Sequence, residues 1–443
     1  MKTGFSQVRF DHCFDYRIGG TFTNYLRSET EFHTPLYASA WAVKSGENSF
    51  IWVSLDVARV VESDADVVRN MIREKTGVPF SHVLVSATHN HTGPTARASI
   101  SPYFPTGDLS YFDKLWEKAC EAAVNAWNST VDMTYSYASC DEWECSHNRR
   151  YLMETGESKM HPGGEGYPGR LMKEGPEDPQ LQAIWFRQAG QIKGILINYS
   201  AHPSLLYGLK VTSSDYPGVL RRTLQQIYGS EVPVIFLQGC AGNLTPRDHE
   251  HDDKWAKGVD GTERIGRILA ADVIRMISLT RTEEDTDRVR LLSSKVRINL
   301  REVTEEDVKG SDEIFRLLDD DRAAFDALGV AEKAYANKVR NLMDKWKLGD
   351  SEEVPVCAIR LGDITFVTNP AELFCEYQLD LKRRMGPRTV CVELTNGGIC
   401  YVPTKQGYLL RGYEVQAGFY DYYAGERIEQ AMIELGQKVR EME

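Results

Sequence analysis

Two histidines separated by one residue close the run VLVSATHNHTGP, residues 83–94. The run opens with Val83, Leu84 and Val85, an apolar and β-branched start that reads as a buried strand. Gly93-Pro94 then ends any regular element. In an extended chain, residues i and i+2 point to one side, so His89 and His91 are expected to share a face at the strand's end. Such a pair supplies one metal ligand and one group that handles protons, and ligands collect at the strand ends of α/β sheets. An isolated His-x-His serves equally well as two ordinary turn histidines, so the pair must be weighed with the other strand ends.

Several other apolar runs end in polar turns of the same kind. Residues 192–199 lead into Ser200-Ala201-His202-Pro203, and residues 232–237 lead into the glycine-rich turn QGCAGNLTP, residues 238–246. Residues 355–368, a hairpin turning at Gly362-Asp363, run into Asn369-Pro370-Ala371-Glu372, and residues 389–394 lead through Gly397-Gly398 to Tyr401. Two or three histidines with a carboxylate make a zinc-type ligand set that leaves one position open for water. The competing reading is a set of separate polar strand ends, common in α/β proteins. The glycine-rich turn is not a phosphate loop, because no Lys-Ser/Thr follows its last glycine. His249 and His251 lie in the charged run RDHEHDD, residues 247–253, which reads as a solvated loop rather than a second metal site. His33 and Asp56 are candidates to orient the ligand histidines, the alternative being a surface histidine and a strand-end aspartate. His147 and His161 carry no supporting pattern beyond the closeness of His147 to Arg149.

The elements that must position these residues alternate between strand and helix. Strands are expected over residues 36–43, 49–55, 133–138 and 291–300, in addition to the runs above. Helices are expected over 60–76, 110–128, 216–228, 261–279, 372–384 and 424–441. Residues 154–180, rich in Gly, Pro, Glu and Lys, read as a long surface loop. Residues 305–347 are strongly charged with helical periodicity and read as an external helical hairpin. Neither an internal repeat nor a flexible linker is apparent. The expectation is an α/β protein: one large domain, residues 1–443, with a mixed β-sheet flanked by helices and a helical insertion at 305–347.

Composition excludes several function classes. The chain has 443 residues, 42% apolar and 26% charged, the make-up of a globular protein. Asp and Glu outnumber Lys and Arg by 64 to 52, for a formal net charge of −12, and no basic run offers a nucleic-acid surface. No stretch approaches the roughly 18 apolar residues of a membrane span, and the start, MKTGFSQVRFDHCF, lacks the apolar core of a signal peptide. Nine cysteines, odd in number and without a Cys-x-x-Cys pair, suit reduced thiols. These features predict a cytoplasmic protein with no nucleic-acid partner and no stable membrane association; the oligomeric state is left open.

The motifs, taken in order, resemble a known family. SATHNHTGP (86–94), Asn148-Arg149, SAHP (200–203), SSDYPG (213–218), QGCAGNLTP (238–246), NPAE (369–372) and Cys400-Tyr401-Val402-Pro403-Thr404 with Gly412-Tyr413-Glu414 follow the order seen in the catalytic domain of neutral/alkaline, non-lysosomal ceramidases. The resemblance covers nearly the whole chain. It implies a zinc amidase, since enzymes of that family cleave the N-acyl bond of ceramide.

Carried over by position, the resemblance assigns zinc to His89, His202, Glu372 and Tyr401. His91 would sit beside the metal's water, Arg149 would contact the scissile region, and Tyr413 would face the developing oxyanion. Two neutral imidazoles and one carboxylate leave zinc a net positive charge that acidifies water toward neutrality. One departure concerns the family's Gly-Asp-Val-Ser-Pro-type motif, which appears here as Gly242-Asn243-Leu244-Thr245-Pro246. Thr245 keeps a hydroxyl with an added methyl, which favours a metal-water mechanism over a nucleophilic side chain. The family's signal peptide and C-terminal β-sandwich have no counterpart in the sequence, and the loops around the site read as largely polar: Arg97, Thr106, Asp108, Lys159, Glu165 and Lys173. The expected substrate is therefore a small, water-soluble N-acyl compound. An esterase or lactonase using the same site, or a metal-binding protein without turnover, are the alternatives.

Overall fold

The computed structural model describes residues 1–16, 18, 26–94, 110–163, 166–250 and 257–442. Arg97, Thr106, Asp108, Glu165 and His251, named above, lie outside the described residues.

Mixed sheets are present as expected, but the strands are shared among three principal sheets, and these have one topology. In the first, Lys2–Arg9 pairs antiparallel with Tyr37–Lys44, which pairs antiparallel with Phe50–Leu55. Phe50–Leu55 then pairs parallel with Val83–Ala87 across the helix Glu62–Thr76. The second repeats the order with Thr134–Asp141, Gln180–Gln188, Gln191–Tyr199 and Val234–Gln238, crossing over through Asp215–Tyr228. The third uses Val289–Asn299, Ser351–Leu361, Ile364–Thr368 and Thr389–Val392, crossing over through Cys375–Met385. A parallel pair needs such a crossover, whereas antiparallel neighbours can be joined by a turn. The chain thus contains a threefold structural repeat where its sequence shows none.

The sheets close around one apolar core. Trp41, Trp52 and Leu84 from the first sheet, Phe186, Leu196 and Leu237 from the second, and Leu291, Phe366 and Val390 from the third pack together, all essentially buried. Phe366 lies 5.7 Å from Trp41 and 5.8 Å from Trp52 between ring centroids, within the range of favourable aromatic pairs. The opposite face of each sheet is covered by its own helices: Glu62–Thr76 and Tyr111–Asn128, Asp215–Tyr228 and Gly258–Leu279, Cys375–Met385 and Ala424–Glu441. Burial on both faces explains why these strands read as unbroken apolar runs.

Side-chain hydrogen bonds stitch the parallel pairs together at their ends. Asn198 Nδ2 donates to the carbonyls of Leu237 and Cys391, at 2.9 and 2.8 Å, and Ser54 Oγ donates to that of Phe236 at 2.7 Å. The C-terminal ends of all three parallel pairs therefore meet on one side of the molecule.

Two segments differ from expectation. Residues 154–180 are not one loop: Ser158–Met160 and Arg170–Lys173 flank Arg150–Met153 in a small antiparallel sheet. The insertion at 305–347 has three helices rather than two, Glu305–Asp320, Arg322–Ala327 and Val330–Trp346, set between the paired strands Val289–Asn299 and Ser351–Leu361. Thr304 caps the first of them through the amide of Asp307 at 3.1 Å. Among the described residues, no helix is long and apolar enough to cross a membrane.

Candidate functional site

The histidine strand ends at Ala87, two residues before His89, and the pair is not brought together by strand geometry. His89 has φ 66°, in the left-handed region, so the chain turns sharply there. The turn is held on both sides. Thr88 and His89 amides donate to the carbonyls of Leu55 and Val57, and Asn90 Nδ2 and Thr92 Oγ1 both donate to the carbonyl of Ser213. Gly93 is packed so closely that a Cβ would lie 2.6 Å from the Asp56 carbonyl. The result places the His89 and His91 rings 5.0 Å apart and the His89 and His202 rings 4.3 Å apart.

Hydrogen bonds fix which nitrogens face inward. His89 Nδ1 donates to the carbonyl of Ala58 at 2.6 Å, which leaves Nε2 as an acceptor. His202 Nδ1 faces the carbonyl of Ala241 at 3.5 Å, and its Nε2 stands 3.0 Å from His91 Nε2. Burial, followed by the neighbouring His89 and Arg149, holds His202 well below the usual histidine range, so it is neutral. Glu372 enters from the third sheet, its Oε2 at 3.2 Å from His89 Nε2. Both atoms are buried without a hydrogen-bond partner. With His89 neutral the two atoms are facing acceptors that a bound cation would bridge, and the donor set of imidazoles and a carboxylate suits a divalent metal. His89, His91 and His202 offer ligand atoms within 4.8 Å of one another and can hold a metal ion. Burial pushes the Glu372 carboxyl up, but a protonated His89, then Arg59 and Tyr401, outweigh it and lower it overall.

Tyr401 stands opposite Glu372 in a two-residue parallel pair, Glu372–Leu373 with Tyr401–Val402. Its phenol lies beside the Glu372 carboxyl and the Arg149 guanidinium, and burial, then Glu372, raises it well above the usual tyrosine range. Arg149 donates Nε to Glu414 at 2.9 Å and Nη2 to the Gly242 carbonyl at 2.7 Å, and its guanidinium lies 5.3 Å from the Tyr401 ring centre. Tyr413 meets Tyr401 edge-on at 5.6 Å, and burial raises its phenol above the usual tyrosine range. Thr245 pairs with His147 in a short antiparallel bridge, and its hydroxyl accepts from the Arg247 amide at 3.3 Å. A cavity of about 690 Å³ opens over this floor, lined by His91, Arg149, His202, Thr245, Tyr401 and Tyr413 among others. All eight residues singled out in the sequence therefore either line the cavity or belong to the histidine cluster beneath it.

Other expectations are corrected. His249 is buried, not solvated, and stacks on His161 with ring centres 4.5 Å apart, both lining the cavity. Its acidic neighbour Glu250 is held by Lys173 at 3.2 Å. His33 and Asp56 bond none of the three site histidines. His33 joins Ser213 Oγ to Glu263, and Asp56 accepts Arg221 and the Tyr37 amide. His147 lies by Glu177, outside the cavity wall. Lys159 and Lys173 pair with Tyr167 and with Glu177 and Glu250, whereas Tyr207 and Leu209, which do line the cavity, are 41% and 45% exposed. Part of the rim is thus apolar.

Three groups behind the site, Arg59, Lys338 and Glu393, carry no motif, and Cys400 stands in one only as the neighbour of Tyr401. Arg59 Nη1 and Lys338 Nζ converge on Cys400 Sγ at 2.6 and 2.7 Å, next to Tyr401, with Lys338 coming from the insertion. Burial raises the Cys400 thiol, but the two cations outweigh it and the net shift is downward. Glu393, fully buried, accepts the amides of Ala241 and Leu373 at 3.1 and 3.2 Å. Burial, then Glu372, pushes its carboxyl well above the usual range, so it is neutral. Only the position of Arg59 and Glu393 just past strand ends could have drawn attention to them.

No family model matches the chain, and no curated protein matches it in sequence. Solved structures do match. The crystal structure of neutral ceramidase from Pseudomonas aeruginosa aligns with a TM-score of 0.71 at 16% identity, over 99% of this chain and 74% of that one. A structure of a ceramidase complexed with C2 aligns with a TM-score of 0.70 at 16% identity, over 99% and 75%. The chain has the neutral ceramidase fold, as its motif order implied.

Proposed function

We propose that the protein is a zinc-dependent hydrolase that cleaves the amide bond of a small, water-soluble N-acyl compound. The observation that carries this reading is the facing pair His89 Nε2 and Glu372 Oε2, buried and unpartnered, beside His202 and His91 under one cavity. The ceramidases that share the fold lend support by analogy. His89, His202, Glu372 and Tyr401 would hold the metal, which when bound supplies Lewis acidity and brings the pKa of water toward neutrality.

The chain's own residues would do the rest. His91, at the edge of the cluster and open to the cavity, takes a proton from water at Nε2 and returns it to the leaving amine. Arg149, fixed by Glu414 and the Gly242 carbonyl, points charge toward the carbonyl oxygen as it becomes negative. Tyr413 keeps its proton and donates to the same oxygen. Each such donor contributes on the order of 3 kcal/mol to the transition state. Thr245 supplies a polar contact rather than a nucleophile. Met160, Leu205, Tyr207 and Leu209 give the cavity an apolar side for the acyl group.

The experiment is a substrate panel: soluble N-acyl amines, N-acetyl amino sugars and short esters, beside micellar ceramide, all with zinc added. Turnover of a soluble amide, lost in His91→Ala, is the expected result. Turnover of esters alone would move the protein to the esterases, turnover of long-chain ceramide alone would overturn the substrate assignment, and none at all would leave a metal-binding protein.

A further inference from the structure

Glu393 stands one residue past the strand Thr389–Val392 of the third sheet and is fully buried. Burying a carboxyl costs free energy unless its oxygens find donors. Oε2 finds two. It accepts the amide of Ala241, in the glycine-rich turn that follows the second sheet, at 3.1 Å, and the amide of Leu373, next to Glu372, at 3.2 Å. The residue's own amide donates to the carbonyl of Gln238 at 2.9 Å, at the start of the same turn. One side chain therefore ties a segment after the second sheet to a segment after the third.

Each of those segments carries part of the site. The carbonyl of Ala241 faces His202 Nδ1 at 3.5 Å, and the carbonyl of Gly242 accepts Arg149 Nη2 at 2.7 Å. On the other segment, Leu373 follows Glu372, and its carbonyl accepts the Gly242 amide at 2.9 Å. The two backbones approach so closely that a Cβ on Gly242 would lie 2.5 Å from the Glu372 carbonyl. A shift of the turn against the Glu372 segment thus moves His202 and Arg149 relative to Glu372. Glu393 is not part of the cavity wall, and its Oε1 is buried without a hydrogen-bond partner.

We propose that Glu393 is a positioning residue: through the amides of Ala241 and Leu373 it sets the spacing between His202 and Glu372, and with it the geometry in which they take up a divalent metal. The inference rests on the metal site of the hydrolase reading and gives Glu393 no step in the reaction itself. Groups that act behind metal ligands in this way alter metal affinity without touching the ion.

The test compares two substitutions of similar length in the full chain, Glu393→Gln and Glu393→Met. Glutamine keeps a carbonyl oxygen for the two amides, and the nitrogen that replaces Oε1 breaks no hydrogen bond. Methionine keeps the volume and removes the acceptor. Zinc affinity is read by competition with a chelating dye, ligand geometry by the visible absorption of the cobalt-loaded protein, and stability by urea titration. Glu393→Gln is expected to bind zinc within about threefold of wild type, with the cobalt spectrum unchanged. Glu393→Met is expected to bind at least about tenfold more weakly, with an altered spectrum, under conditions where it is fully folded. A merely structural role predicts a lower urea midpoint in Glu393→Met with affinity and spectrum unchanged, and that result overturns the proposal. A loss of about tenfold or more in Glu393→Gln overturns it too. Should Glu393→Met not fold, Glu393→Asp takes its place: the shorter side chain draws the acceptor away from the two amides, the same loss and spectral change are expected, and an unchanged affinity overturns the proposal. Turnover is scored separately. Weaker zinc binding in Glu393→Met, with no substrate turned over by wild type, leaves the positioning role standing and removes the hydrolase. Turnover by wild type with zinc affinity unchanged in Glu393→Met does the reverse, and a wild type that takes up neither zinc nor cobalt overturns both.

Discussion

His89 Nε2 and Glu372 Oε2 face each other at 3.2 Å, contributed by the first and third sheets, and neither has a hydrogen-bond partner. His202, from the second sheet, completes the contact through its ring 4.3 Å from that of His89. Residues that follow a strand of each of three topologically alike sheets thus reach a common point.

The first prediction follows from that arrangement. Purified protein should hold about one zinc per chain, and His89→Ala or His202→Ala should lower affinity at least roughly tenfold. Metal analysis by mass spectrometry after dialysis checks it. Wild-type stoichiometry in both variants would remove the metal assignment.

Thr245 separates two mechanisms. Its hydroxyl already accepts the Arg247 amide, so Thr245→Ser should retain near-normal kcat/KM and Thr245→Ala should lose no more than about tenfold. A loss of several orders of magnitude in the alanine variant, with metal content intact, would instead point to a covalent route.

Glu414 holds two buried arginines at once, Arg149 and Arg150. Removing it leaves Arg150 with Glu174 and leaves the Arg149 guanidinium buried without a carboxylate. Glu414→Ala should lower unfolding free energy by about 3–5 kcal/mol in urea titrations, because the uncompensated charge outweighs the lost contact. A change under about 1 kcal/mol would mean that water or a neighbour relieves the charge.

Asp215 gives a pH dependence with a definite sign. Burial raises its carboxyl to about 6, although the amides of Tyr216, Leu206 and Leu205 pull the other way. In the unfolded chain the group titrates near 3.9. The folded state therefore binds its proton more tightly, and the stability this contributes is present in full below about pH 4 and lost as pH rises through about 6. The loss amounts to about 2–3 kcal/mol. Asp215→Asn cannot titrate, so the difference in unfolding free energy between wild type and variant should change by that amount across the window. A constant difference from pH 4 to pH 7 would show that the carboxyl does not titrate as described.

Much of the floor of the site was legible because its residues follow apolar runs: His202 after Gln191–Tyr199, Glu372 after Ile364–Thr368, Tyr401 beyond Thr389–Val392. An apolar run buried on both faces announces itself, and the polar residue after it marks the sheet's end. The left-handed turn at His89 was not legible, since nothing in THNHTG distinguishes it from extended chain. Nor was the threefold repeat, because VLVSA, VIFLQ and TVCV share apolarity while topology resides in hydrogen-bond order. Lys2–Arg9 and Gln180–Gln188 were missed as strands, the first mixing polar residues into its alternation and the second lying beyond a segment read as loop. His249 was hidden by the charged run RDHEHDD, which reads as solvent-facing in sequence.

Lys338 belongs to the most charged stretch of the chain, yet its ammonium is buried against Cys400, one residue from Tyr401. Most of the insertion's outer surface can vary without touching anything else. The inner face of the helix Val330–Trp346 cannot, because it carries a charge that the interior needs. Any local opening that lifts this helix removes one of two cations from a buried thiol and unbalances the ground on which Tyr401 stands. The insertion is a mechanical dependency of the cavity floor: its helix Val330–Trp346 must be docked for the charges around Cys400 to stay balanced.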